Sequence, residues 1–429
     1  MKERIAIVKA LRSPFCKAGG ALKGAGADDL GAYVLKELAL RSPVDINMID
    51  EIVVGNVGQP PHAANVARVS ALKAGLPSTI PAFTVHRNCA SGMEALSSAS
   101  NKILAGYGDI MMVGAIESMS NLPLLFNKKM TAFFMAMMRA KTMGDKLKVL
   151  SSFRLGHLTP IITLELGLTD PTCGMIMGST AELLAREHFV TRDEQDAFAL
   201  SSHLKAVNAI ESGRLAEEIV PIPVPNKYDT MQEVDEGPRF GQTIEALQKL
   251  RPYFDRVAGT VTVGNSSQVT DGACAALIMK ESKAKELNLD VLGYVNDYAY
   301  DALDGPHMGM GPVHATAKLL KRTGIAFKDF NLIEINEAFA AQALACARGF
   351  ASDDYAKKHL GRDSKIGDID LDIVNVNGGA IALGHPVGAT GLRLIMTTLM
   401  ELRRRKQNLG LATLCIGGGQ GAAFALEVE

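Results

Sequence analysis

Short apolar runs of β type alternate with amphipathic stretches along this chain, and that alternation predicts an α/β fold. Residues 5–8 form the first strand-like run. Residues 80–85 form another and lead into the polar turn Arg87-Asn88-Cys89-Ala90-Ser91-Gly92. A helical pattern follows, with Met93, Leu96, Ile103 and Leu104 on one face. Gly106 and Gly108 stop it, and residues 110–114 read as a buried strand. The plan returns near the C-terminus. Residues 373–376 predict a strand that enters Gly378-Gly379-Ala380-Ile381-Ala382-Leu383-Gly384-His385-Pro386. The next helix carries Leu392, Ile395, Met396, Leu399 and Leu402 on one face. It ends in Arg403-Arg404-Arg405-Lys406, which suits the negative end of a helix dipole, before a strand over 411–415. Strand, turn, helix, strand thus occurs twice, which predicts a structural duplication with one reactive loop from each half.

The stretch 121–259 differs in character. Residues 127–141 mix methionine, phenylalanine and lysine, and Pro221, Pro223 and Pro225 break up a later loop. This predicts an inserted domain. Its methionines are expected to fill a helix core, although pliable methionine surface also suits an apolar ligand or partner. Basic and apolar residues alternate over 124–150, which leaves contact with a membrane surface open.

Composition narrows the classes. At roughly 100–200 residues per domain, 429 residues allow two to four domains. A formal net charge of -1 gives no field to attract nucleic acid. The first residues run straight into a strand pattern and do not resemble a signal peptide, and no apolar run reaches the ~20 residues of a membrane span. Six cysteines, at 16, 89, 173, 274, 346 and 415, show no CxxC spacing. That argues for a reducing, cytoplasmic setting and against a disulfide framework or a metal cage.

The candidate chemistry lies in the turns. Cys89 is placed at a helix start, where unpaired N–H groups and the helix dipole would favour its thiolate. A buried inert thiol is the alternative. His385 lies between Gly384 and Pro386, so a loop holds it, and its imidazole can take a proton or donate to an oxyanion. A surface loop histidine reads equally well there. Cys415 ends a strand and enters Gly417-Gly418-Gly419, whose N–H groups can approach an oxyanion closely. Asn336, in Asn336-Glu337-Ala338-Phe339, follows the strand-like 332–335 and can hold a water. A thiol, an imidazole and a second thiol are parts suited to acyl transfer through a cysteine thioester. Dinucleotide, Walker, HExxH and GxSxG patterns are missing.

Together these segments resemble the thiolases. The resemblance covers nearly the whole chain and rests on Cys89-Ala90-Ser91-Gly92, Met177-Gly178-Ser179-Thr180-Ala181-Glu182, Lys249-Leu250-Arg251-Pro252, Asn265-Ser266-Ser267, Asn336–Phe339, 378–386 and 415–421. Residues 141–160 look like the 3-ketoacyl-CoA thiolase subunits of fatty-acid oxidation complexes. Asn336 stands where those subunits often carry histidine, and Ile176 stands where short-chain thiolases carry histidine.

The resemblance implies a duplicated five-layered α-β-α-β-α core. One half would span 1–120 plus 260–284, the inserted domain 121–259, and the other half 285–429. It implies Cys89 as nucleophile, His385 as base, Cys415 as proton carrier, a water on Asn336, and an oxyanion held by the N–H groups of Cys89 and Gly417. Coenzyme A would be substrate, near Ser267, Met177, Met308 and Arg239, with no bound cofactor and no metal. A homodimer or homotetramer is implied, with a possible hydratase/dehydrogenase partner subunit. The alternatives are a biosynthetic acetoacetyl-CoA thiolase, a condensing ketoacyl synthase, and a non-catalytic acyl-CoA-binding subunit.

Overall fold

The computed structural model describes residues 3–225 and 229–429; residues 1–2 of the expected first half lie outside it. Nine strands of one mixed sheet carry the fold: β1 Ile5–Arg12, β2 Glu51–Asn56, β3 Ala82–Val85, β4 Ile110–Ser118, β5 Thr270–Lys280, β6 Gly293–Ala302, β7 Leu332–Ile335, β8 Leu409–Ile416 and β9 Gln420–Glu427. A two-residue strand, Cys16–Lys17, pairs with β5. The order is β7-β8-β9-β6-β1-β5-β4-β2-β3. Outward from β1, the successive pairings are antiparallel to β5, antiparallel to β4, parallel to β2 and parallel to β3. Outward from β6 they are antiparallel to β9, antiparallel to β8 and parallel to β7, followed by a parallel bridge from Ile333 to Val374. The two halves therefore repeat one topology about the antiparallel β1–β6 seam.

Side-chain alternation sorts the layers. One apolar cluster holds Cys274, Ala276 and Ile278 of β5 together with Ala422, Phe424 and Leu426 of β9. The same cluster holds two helices, α3 Ser91–Leu104 and α10 Val387–Arg405. These helices form the middle layer. The opposite face of β5 (Ala273, Ala275, Leu277) packs with α1 Ala27–Leu40 and α2 Val66–Lys73. The opposite face of β9 (Ala423, Ala425) packs with α8 Gly311–Thr323 and α9 Ala340–Phe350. Helix, half-sheet, helix pair, half-sheet, helix is the five-layered order that the resemblance implies.

Two details differ from the sequence reading. Residues 373–376 form no strand beyond the single Val374 bridge. Asn375 has φ +45°, and its side-chain amide accepts from the Ile335 N–H and donates to the Ile335 carbonyl, both at 2.9 Å. The side chain replaces the backbone ladder, so the backbone is free to turn. Leu104 also leaves the apolar face of α3 and is exposed, while Met93, Leu96 and Ile103 are fully buried.

Within 121–259 lie a small hairpin, Leu124–Phe126 with Pro160–Ile162, and four longer helices: α4 Lys128–Arg139, α5 Met143–Ser151, α6 Met177–Glu187 and α7 Arg192–Glu211. The expectation that the methionines of α4 fill a core fails for two of its four. Met130 is buried, but Met135 and Met138 face outward, Met138 at 80% exposure. The helix has an apolar side, Phe134, Met135 and Met138, that is left exposed among the described residues. Among the described residues no helix is long and apolar enough to cross a membrane.

Candidate active site

The Cys89 turn follows β3 and is held by its own polar side chains. Ser91 Oγ accepts from the Arg87 N–H at 2.9 Å and donates to the Asn88 carbonyl at 2.7 Å. Asn88 takes φ +44°, and its Nδ2 donates to the Gly417 carbonyl at 2.6 Å. Arg87 pairs with Glu94, donates to Gln420 Oε1 at 3.1 Å and lies over the Tyr300 ring. A loop of the first half is thereby fastened to the 417–420 turn of the second.

Cys89 lies two residues before α3, not on it, since Ala90 is the N-cap. The expected lowering of its pKa does not occur. Burial pushes the thiol up to about 11, against the pull of N–H groups from Gly417 and from Cys89 itself; the charge of Glu117 pushes it further up. Desolvation outweighs these N–H donors.

His385 owes its position to Gly384, which has φ +102° and whose missing Cβ would sit 2.3 Å from Thr270 Oγ1. The His385 N–H donates to that hydroxyl at 3.1 Å. Thr390 fixes the ring. Its hydroxyl donates to the Pro386 carbonyl at 3.0 Å, so it accepts from His385 Nδ1–H at 2.6 Å. Nε2 is left with its lone pair. Burial, and then Arg393, lower the imidazole pKa to about 3, so the ring is neutral at pH 7. Arg393 is itself buried and paired with Glu334 at 2.6 Å.

Asn336 Nδ2 lies 3.5 Å from His385 Nε2. Its backbone N–H donates to Thr413 on β8, and its Oδ1 is buried without a donor. Next to it, Glu337 accepts from Ser202 of α7 at 2.6 Å, from Asn375 at 2.7 Å and from the Ile381 N–H at 3.2 Å. That buried carboxylate stitches α7 to the glycine loop before His385.

Cys415 is fully buried on β8 and packs with Met308, with Met177 at the edge of the same cluster. Burial drives its thiol well above the usual value, and the charges of Cys89 and Cys346 add to the effect, so Cys89 and Cys415 lie close enough to interact. Ser267 is half-buried and its N–H donates to the Ala338 carbonyl at 3.0 Å, beside the Asn336 turn. Arg239 is exposed, and its N–H donates to His203 Nδ1 at 3.3 Å.

A close helix crossing brings together the loops that carry Cys89 and His385. A Cβ on Gly92 would meet Leu392 N at 2.8 Å, Ala115 Cβ at 3.0 Å and the Gly388 carbonyl at 3.2 Å. Helices α3 and α10 touch backbone to backbone directly after the two reactive loops. Alanine is the better helix former by about 1 kcal/mol. The Gly92→Ala variant is nonetheless expected to lose about 1–3 kcal/mol through overpacking. A melting curve with unchanged or raised Tm would contradict the crossing.

A cavity of about 510 Å³ is lined by Cys89, Gly417, Gly418, Met177 and Glu117, with Leu164 and Leu168 of the 121–259 stretch on its wall; His385, Asn336 and Cys415 lie behind its lining residues. Among the described residues no His, Cys, Asp or Glu group could hold a metal ion. Three contributors escaped the sequence reading: Thr390, Glu117 and Arg393. Thr390 could have been found as a hydroxyl one helical turn beyond a loop histidine; nothing local marks the other two.

Residues 5–282 match the family model "Thiolase, N-terminal domain", and residues 289–428 match "Thiolase, C-terminal domain". The chain is 42% identical over 426 residues to the 3-ketoacyl-CoA thiolase of Pseudoalteromonas translucida (strain TAC 125), covering 99% of this chain and 97% of that one. The 3-ketoacyl-CoA thiolase of Vibrio cholerae serotype O1 is 41% identical over 428 residues, 100% of this chain and 98% of its own. Among solved structures, the acetyl-CoA acetyltransferase of Bacillus anthracis superposes with a TM-score of 0.87 at 36% identity, covering 99% of both chains. Human mitochondrial 3-ketoacyl-CoA thiolase in complex with CoA gives 0.85 at 34% identity, over 100% of this chain and 98% of that one. With matches that run nearly end to end and a reactive loop supplied by each half, the chain belongs to the thiolase family of acyltransferases.

Proposed function

We propose that the chain cleaves 3-ketoacyl-CoA with CoA, giving acetyl-CoA and a shortened acyl-CoA through a thioester on Cys89. What supports this reading is a neutral imidazole whose unprotonated Nε2 receives the Asn336 amide at 3.5 Å, together with a thiol that receives the Gly417 N–H. His385 takes the Cys89 proton as the sulfur attacks the 3-keto carbon, and the N–H groups of Cys89 and Gly417 hold the oxyanion. Bond cleavage releases the acetyl-CoA enolate. Its oxygen is stabilised by the protonated His385 and by a water held on Asn336, whose buried Oδ1 has an acceptor site to spare. Cys415 protonates the enolate carbon, then takes the proton of incoming CoA as the acyl group leaves Cys89.

Ser267, Met177 and Met308 border the same region and are proposed to line the pantetheine path. Arg239, which is exposed, is proposed for the adenine end. Residues 121–259 serve as the cover between halves 1–120 plus 260–284 and 285–429. The relatives named 3-ketoacyl-CoA thiolase support a degradative role in fatty-acid oxidation. Condensation of two acetyl-CoA uses the same residues in reverse. Six unpaired cysteines suit a cytoplasmic setting. The uncovered leucines and phenylalanines of 124–158 support a protein partner there, a second copy or a hydratase/dehydrogenase subunit, more than a membrane surface. A CoA-dependent thiolysis assay over a panel from acetoacetyl-CoA to long-chain 3-ketoacyl-CoA tests the reading. Turnover that rises with chain length supports degradation, turnover confined to acetoacetyl-CoA favours the biosynthetic alternative, and no thiolysis of any member refutes it.

A further inference from the structure

Glu117, next to the last residue of the buried strand β4, lines the cavity, yet it is fully buried and has no ion-pair partner among the described residues. Four donors converge on it. Oε1 accepts from the Gly58 N–H at 2.9 Å and from Asn56 Nδ2 at 3.3 Å. Oε2 accepts from the Val57 N–H at 3.2 Å and from the Gly388 N–H at 3.0 Å. All four partners donate and none accepts, which is the surrounding of an ionised carboxylate. Burial acts the other way and raises its pKa to about 7.

The donors come from both halves. Asn56, Val57 and Gly58 belong to the end of β2 and the loop after it. Gly388 is in the first turn of α10, three residues after His385 and two before Thr390, which holds the imidazole. A negative side chain at that helix end also meets the positive end of its dipole. The titratable neighbours of Glu117 are Cys89, which lines the same cavity, and Asp271 on β5, which accepts from Ser120. His385 has Arg393 as its charged neighbour.

We propose that Glu117 is a positioning residue for acyl transfer: it ties the start of α10 to the loop after β2, so that the loop of His385 keeps its place beside that of Cys89, and in its ionised form it sets a negative charge near the Cys89 thiol. The charge opposes early loss of the thiol proton, and Arg393 opposes early protonation of the ring. The pair therefore rests as thiol and imidazole, and separates charge only as the substrate carbonyl is attacked. The proposal rests on the acyl-transfer reading above.

The test compares wild type with Glu117→Gln and Glu117→Asp in two assays. The first is alkylation of Cys89 by iodoacetamide as a function of pH, read on the Cys89 peptide by mass. It needs no turnover, so it remains informative if the thiolysis reading fails. Removing the charge in Glu117→Gln is expected to move the alkylation midpoint about one pH unit lower. The second assay is thiolysis. There kcat of Glu117→Gln is expected to fall up to about 100-fold, as for a misplaced catalytic group, with KM for CoA within about threefold. Glu117→Asp keeps the charge but is one methylene short of its donors. Its alkylation midpoint is expected to stay at the wild-type value while kcat falls about tenfold. Should Glu117→Gln fail to fold, Glu117→Asp decides: kcat equal to wild type overturns the proposal. An unmoved midpoint or a kcat within threefold of wild type in a folded Glu117→Gln also overturns it, and loss of the fold in both variants would make Glu117 a purely structural residue.

Discussion

Replacing Cys89 with serine is expected to lower kcat for thiolysis by at least about 10⁴-fold, the scale seen when a covalent nucleophile is lost. The fold should survive. Serine is smaller, its hydroxyl can receive the same N–H from Gly417, and Cys89 is only half-buried. The size of the loss follows from the resting state. With a thiol held near pKa 11, very little of it is thiolate at neutral pH. The reaction therefore requires His385 to remove the proton during attack, and even this is an uphill step for a sulfhydryl. A serine hydroxyl is a far weaker acid, and the same imidazole has a low pKa, so the step becomes prohibitive. Intact-mass analysis after incubation with an acyl-CoA should show an adduct on wild type and none on Cys89→Ser. Normal turnover of the variant, with a matching melting curve, would remove Cys89 from the reaction.

This electrostatic state was not legible in the sequence, whereas the parts themselves were. The turns at 87–92, 378–386 and 415–421 stood out because reactive side chains sit among glycines and small polar residues, a local property. The repeated strand-turn-helix-strand plan was legible for the same reason, and it recurs as the two-sided sheet about the β1–β6 seam. The ionisation of Cys89 depends on its desolvation in the folded chain. That is a long-range fact, so the helix-end argument gave the wrong sign. The missing strand at 373–376 has a similar origin. Val374 and Val376 have β propensity, but the Asn375 amide captures both backbone groups of Ile335 and ends the ladder. The α4 methionines show the limit of composition. Methionine and phenylalanine at helical spacing read as core, and whether another surface meets them is decided elsewhere in the chain or in another chain. Arg393 and Glu117 matter through partners 59 to 271 positions away, which no local pattern encodes.

Replacing Cys415 with alanine is expected to separate the two halves of the reaction. Cys89, the Gly417 N–H and His385 remain in place, because Cys415 contributes packing on β8 and no hydrogen bond to them. The variant should still form the acyl-enzyme from a reactive acyl donor, at a rate within about tenfold of wild type. Proton transfer to and from carbon should fail, because the buried thiol near Cys89 is the one group proposed for it. Loss of a positioned acid–base group costs about 10²- to 10⁴-fold, so exchange of the acetyl-CoA α-protons into deuterated water should fall by that factor, and overall thiolysis with it. The two measurements discriminate between roles. A defect in acylation as large as the defect in exchange would mean that Cys415 serves the site as packing, since misplacing Met177 and the 417–419 turn would harm both steps together. Wild-type exchange in Cys415→Ala would assign the carbon proton to another group. His385 would then be the next to test, since its Nε2 stands beside Asn336 and carries a proton once Cys89 has attacked.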